Sequence, residues 1–176
     1  REELAWELVE VFEELPTERI NELLAKNVPF ETLRFLSVYA DDFGAANAIE
    51  GLYPDRLQEF AAMLGHHFAL AGERDKAVHY LRQAAKLQVT RYAYTEATHH
   101  LETALALFNP DEACEDLVVL LEEAGDAYRL QRNSARAMAL YQQSLAVWSQ
   151  VDGATRLIKM RLHRKIIQIT VDFMFT

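Results

Sequence analysis

Apolar residues recur along this chain three and four residues apart, the spacing of one face of a helix. Leu4, Leu8, Val11, Phe12 and Leu15 share one side of a helix predicted over about 2–14, and Glu2, Glu3, Glu7, Glu10, Glu13 and Glu14 make its solvated face. Pro16 and Thr17 break the chain and restart it, since proline suits a helix start and threonine can cap one. Helices are then expected over about 17–26, 30–40 and, after Asp41-Asp42, 43–51. Tyr53, Pro54 and Asp55 open a longer one to Ala71, and Gly72 ends it free of any Cβ penalty. Four more follow over about 74–90, 93–108, 111–130 and 134–150, and a last over 154–173; Asn109-Pro110 and Asp152-Gly153 are breaks. No stretch alternates with period two, so no strand is expected.

A second pattern lies inside the first. In GERDKAVHYLRQA (72–84), Ala77 and Ala84 stand seven apart with Tyr80 and Leu81 between them. Ala97 and Ala104 repeat the spacing around Leu101, and Ala137 and Ser144 repeat it around Tyr141. Two helices joined by a short turn approach closely only where one presents a small residue, larger neighbours filling the grooves between. A hairpin that cannot bury its whole apolar face alone stacks on the next. Gln58–Arg91 pairs Leu64, Gly65 and Phe68 with Ala77, Leu81 and Ala84. Val118–Val151 answers with Ala124, Gly125 and Tyr128 against Ala137, Tyr141 and Ser144, and each unit is 34 residues long. Ala77 to Ala97 is 20 residues and Ala97 to Ala137 is 40, so the helix over 74–90 serves two overlapping hairpins.

On these residues the chain resembles the tetratricopeptide-repeat superfamily, with LGHHF (64–68) and AGDAY (124–128) similar to its first-helix signature. Ala61 and Leu121 stand where that family often has tryptophan, and no proline closes either unit, which marks an irregular array. The expected fold is all-α: a right-handed solenoid of antiparallel hairpins over 53–176, in units of about 58–91, 78–108, 118–151 and a partial 152–176. A smaller helical segment over 1–52 precedes it. A narrower likeness spans about Ala45 to Gln150. There LYPDRL, HHF, AGERDKAVHYL and AYTEATHHLETAL resemble the helical-repeat region of bacterial multidomain signalling ATPases. The resemblance implies a piece of a larger signalling ATPase or transcriptional regulator, in which a nucleotide-binding module, often with a cyclase or other output domain, comes before the repeats.

Charge and composition narrow the function. The chain of 176 residues carries a net charge of −9. Residues 1–56 hold 13 acids against 5 bases and residues 57–176 hold 14 against 13, or −8 and −1. An acidic N-terminal segment argues against nucleic acid there, and Arg156, Lys159, Arg161, Arg164 and Lys165 spread around the last helix without forming a stripe. No apolar run approaches the roughly 20 residues that cross a bilayer. One cysteine, Cys114, fits a reducing, cytoplasmic compartment and reads as a small residue on the first turn of a helix. The chain opens on Arg1 and not on methionine, as an excised fragment would.

Candidate chemistry is sparse. No phosphate-cradling glycine loop occurs, so no nucleotide cofactor is expected of these residues. His66-His67 and His99-His100 are adjacent pairs about 100° apart on a helix, a poor geometry for one metal. Glu122-Glu123 and Asp41-Asp42 are paired carboxylates without a nucleophile beside them. Tyr92, Tyr94, Tyr141 and Trp148 are candidates for a ligand groove, most of them for the core. The expectation is a non-catalytic scaffold that binds a protein, a peptide or a neighbouring domain. The alternative is a sensor holding a small ligand in the repeat groove to control an attached output domain. The last helix adds one more expectation. Met160, Leu162, Ile166, Ile167, Ile169, Val171, Phe173, Met174 and Phe175 make its end apolar nearly all round, where a terminal unit usually turns a polar face outward. Either another hairpin follows, or a second copy covers this end through Ile166, Ile169 and Phe173.

Overall fold

Over the described residues, the backbone is helical where the apolar spacing is helical. The structure, a computed structural model, describes residues 42–109, 112–151 and 156–174. Among them are seven α-helices: α1 (Asp42–Leu52), α2 (Leu57–Leu70), α3 (Arg74–Thr90), α4 (Tyr94–Leu105), α5 (Glu115–Leu130), α6 (Ser134–Trp148) and α7 (Arg156–Met174). A 3-10 turn, Pro54–Arg56, stands between α1 and α2. No strand occurs among the described residues, and no helix there is long and apolar enough to cross a membrane. The helices expected over 2–14, 17–26 and 30–40 lie outside the described residues.

Two boundaries differ most from the sequence reading. α4 closes at Leu105, three residues early, in a turn where Leu107 and Phe108 donate to Ala104 and Leu105. α5 opens at Glu115 and not at 111. Cys114 is its N-cap, with extended backbone at φ −140 and ψ 160, and so stands just outside the first turn. Glu115 and Asp116 then occupy that turn, where the positive end of the helix dipole favours acids.

Three turns share one construction. Gly72, Tyr92 and Arg132 adopt left-handed backbone at φ 79, 61 and 63. In each the following N–H reaches back five residues: Glu73 to Phe68 (2.9 Å), Ala93 to Gln88 (3.0 Å) and Asn133 to Tyr128 (2.9 Å). This is the Schellman closure of a helix. The same residue in each turn accepts the N–H of Ala77, Ala97 or Ala137. Each small residue therefore stands five positions after the left-handed one. The 20- and 40-residue spacings in the sequence are the spacings of one recurring turn.

The chain divides into two compact units between Ala77 and Val78, inside α3. In the first, α1 packs on α2, burying Ala46 and Ile49 from α1 and Phe60, Ala61, Leu64, Gly65 and Phe68 from α2. Tyr53 lies 5.3 Å from Phe60, and the Arg56 guanidinium covers both rings while bonding Glu59. Lys76 Nζ sits 4.4 Å over the Phe68 ring and 2.6 Å from Glu50.

The second unit has two cores on either side of the α5–α6 pair. Val78, Leu81 and Ala85 of α3 join Ala97, Leu101 and Ala104 of α4 and the Leu117, Leu120, Leu121 and Ala124 face of α5. On the other side Val118 of α5 and Ala137 and Tyr141 of α6 meet Ile158, Leu162 and Ile169 of α7. Touching pairs give the helix directions. Along α5 and α6 they are Val118 with Ser144, Gly125 with Tyr141, and Tyr128 with Arg136, one number rising as the other falls. The two helices are antiparallel. So are α4 and α5, through Glu102 with Tyr128 and Thr95 with Gln131. Between α5 and α7 the pairs are Glu122 with Arg161 and Asp126 with Lys165, both rising, so these two run parallel.

At the α5–α6 crossing the Tyr141 ring, fully buried, rests on Gly125. A Cβ at Gly125 would stand 2.6 Å from Tyr141 Cδ1 and closer still to Cε1. Gly51, helical in α1, has nothing within 4 Å of such a Cβ. Alanine is about 1 kcal/mol better than glycine inside a helix. Gly51→Ala is therefore expected to hold or raise the melting temperature, whereas Gly125→Ala overpacks the crossing and loses about 1–3 kcal/mol. Urea denaturation of both variants checks the pair; equal effects would show that Gly125 is not the contact that sets the crossing.

Candidate interaction surface and the ion network beneath it

The packing positions named from the sequence all lie inside. Leu64, Gly65, Phe68, Ala77, Leu81, Ala84, Ala97, Leu101, Ala104, Gly125, Ala137, Tyr141 and Ser144 are buried, and Tyr128 is half-buried. Ser144 adds a hydrogen bond that alanine could not, donating Oγ to the Val118 carbonyl at 2.8 Å.

Polar side chains of α5 reach every helix that packs on it in the second unit. Glu122 and Glu123 are neighbours in sequence but point about 100° apart, and they serve opposite sides. Glu123 takes two bonds from the Arg82 fork of α3, at 2.6 and 2.7 Å. Glu122, 4% exposed, accepts Arg161 at 2.5 Å and Lys165 at 2.6 Å from α7. Lys165 also bonds Asp126 at 2.6 Å, and Asp126 accepts the Tyr141 hydroxyl at 2.7 Å. On the α4 side Tyr128 donates to Glu102 at 2.5 Å, and Arg136 meets the same carboxylate at 3.3 Å.

This network braces the helices against one another. The carboxylates of Glu122 and Asp126 are matched by the cations of Arg161 and Lys165, and each side chain is held by a partner. Burial, then its bond to Asp126, pushes the Tyr141 hydroxyl far above the ordinary phenol range, so it stays a donor. Burial likewise raises Tyr128, with its bond to Glu102 acting the same way. The paired acids of the sequence are thus two separate braces. The sequence reading placed Arg161 and Lys165 in a scatter without a stripe; the inward turn of these two toward acids on another helix is what breaks the stripe.

The other candidates do not converge. His67 is buried with Nδ1 2.9 Å from Asp42, while His66 beside it is exposed. His100 is half-buried, and burial, with His99 next, lowers its pKa from the usual value, favouring the neutral ring. Among the described residues no three His, Cys, Asp or Glu side chains are arranged to hold a metal. Tyr141 is core, whereas Tyr92 is 79% exposed on its turn, edge-on to Tyr94. Trp148 is half-buried, its Nε1 without a hydrogen-bond partner. Cys114 is half-buried against the first core.

Among the described residues, α7 carries four of the eight exposed large apolar side chains. Ile158, Leu162 and Ile169 are buried in the second core and Ile166 packs beside them, so two of the three residues offered for self-association turn inward; the Phe173 side chain lies outside the described residues. On the opposite side Leu157, Met160, Ile167 and Val171 are 71, 62, 61 and 40% exposed. With exposed Arg164 they repeat every three and four residues, an a/d stripe of the kind that seats a second helix. Over residues 157–171 the helix therefore has two apolar faces, one covered and one bare.

No protein-family model matches the chain, and comparison with curated proteins finds no match.

Breaking the brace distinguishes its two halves. Glu122→Ala leaves Arg161 and Lys165 without a buried partner and should lose about 2–3 kcal/mol, less than a wholly buried pair because Arg161 is 45% exposed. Glu123→Ala removes a more exposed pair and should lose under about 1 kcal/mol. Denaturation of both variants checks the order; equal losses would mean that burial of Glu122 carries no special weight.

Proposed function

We propose that this chain is a non-catalytic interaction or regulatory scaffold of tetratricopeptide type, a right-handed hairpin stack working in the cytoplasm as part of a larger bacterial signalling ATPase or transcriptional regulator. One observation carries the interaction reading. Of the eight large apolar side chains exposed among the described residues, four stand on a single face of α7, and a contiguous bare face of this kind marks a binding surface. The polar clusters support the same reading, since each is used up in joining helices. The recurring turn and the small residue five positions beyond it support the repeat type, and the resemblance of 45–150 supports the larger context. A sensor would need an apolar cavity; one concavity among the described residues, over the α5–α6 turn, is lined by Gln131 to Ala135, a largely polar turn.

Selection of displayed peptides against the chain, with Ile167→Glu as the counter-target, tests the reading. Helical peptides should emerge that bind the parent and lose about tenfold or more on the variant. Peptides that bind both equally, together with a small molecule that raises the melting temperature, would overturn the scaffold in favour of the sensor.

A further inference from the structure

The bare stripe of α7 is apolar apart from Arg164 at its middle, and basic around it. Met160, Arg164, Ile167 and Val171 follow one another by four, three and four residues. Around the N-terminal part of the stripe stand Arg156, Lys159 and His163, all exposed, and residues 156–165 hold five bases and no acid. Two of those bases, Arg161 and Lys165, are engaged by Glu122 and Asp126, so the outward charge rests on Arg156, Lys159 and Arg164. Two α7 stripes laid parallel would set Arg164 against Arg164, and laid antiparallel would seat Arg164 on Ile167 with the two arginines in neighbouring layers, an unfavourable approach of like charges either way. The complementary partner is an apolar helix of the same spacing flanked by acids.

The sequence of this chain predicts one near its start. Leu4, Leu8, Val11 and Leu15 are also spaced four, three and four, and residues 2–15 carry six glutamates and no base. The spacing reads the same in both directions, so either orientation brings four apolar positions of one helix onto the stripe of the other. We propose that the exposed face of α7 is the docking site for residues 2–15 of a second copy of this chain. The pairing is head-to-tail, joining two different surfaces, so it closes as a reciprocal dimer or grows as a chain. It rests on the reading of α7 as the interaction face and adds the occupant.

Sedimentation of the full chain at micromolar concentration tests it with two variants. The parent should self-associate, less so at high salt because part of the attraction is between exposed charges. Ile167→Glu spoils the stripe, and the triple variant Glu7→Lys, Glu10→Lys, Glu14→Lys spoils the occupant; each should weaken association about tenfold or more. Mixed together, the two variants should form a one-to-one heterodimer, because each supplies the half that the other lacks. A synthetic peptide of residues 1–15 should dissociate the parent, while a scrambled peptide should not, which keeps the test open if a variant folds poorly. A monomeric parent would overturn the proposal. So would loss of association in Ile167→Glu alone, with the acid reversals and the peptide without effect, since that is α7 pairing with itself. Peptides selected on the parent and lost on Ile167→Glu would leave the scaffold reading standing in either case.

Discussion

The contact of the Tyr141 ring with the bare backbone of Gly125 sets the distance between α5 and α6, and the rest of the second unit is built on that pair. A side chain at 125 would hold the helices apart, and the cores on both sides would lose their fit, because close-packed interiors do not absorb the width of a methyl group freely. With the two backbones close, the outer faces of the pair are left to bind α3 and α4 on one side and α7 on the other. Tyr141 closes the crossing twice, filling the groove with its ring and fixing its hydroxyl on Asp126 of the opposing helix.

Charge then fixes register where apolar packing alone tolerates slippage. α5 holds Arg82 of α3 through Glu123 and Arg161 and Lys165 of α7 through Glu122 and Asp126. The last two acids stand four apart on α5, as the two bases do on α7, so a shift of α7 by one residue would break both bridges together. Held in that way, α7 buries one apolar face and leaves the other bare, and a surface able to bind follows from how the helix is anchored.

Much of this was written in the sequence in a form that physical reasoning could read. The helix over 74–90 was located to the residue, and the small residues at 97, 104, 137 and 144 mark the close approaches, because a crossing needs a small side chain and such residues are few on an otherwise bulky face. Gly125 was legible for the same reason. The turns were half legible: Gly72 announces left-handed backbone, but Tyr92 and Arg132 adopt it against their own preference, held by the same hydrogen bonds, and nothing local to those residues says so. The roles of Glu122 and Glu123 were not legible, since a pair of adjacent acids does not name the helices that will pack on either side. The two faces of α7 were hidden because both are apolar, and only packing decides which is covered.

Hydrogen exchange under native conditions tests the central claim, that the α5–α6 crossing is the element on which the second unit depends. If it is, the amides of residues 120–127 in α5 and 138–144 in α6 exchange slowest in the chain and share one opening free energy, that of unfolding the unit, while those of α7 open at lower free energy. Slowest exchange in α7, or two different opening free energies for α5 and α6 around Gly125 and Tyr141, would contradict the account.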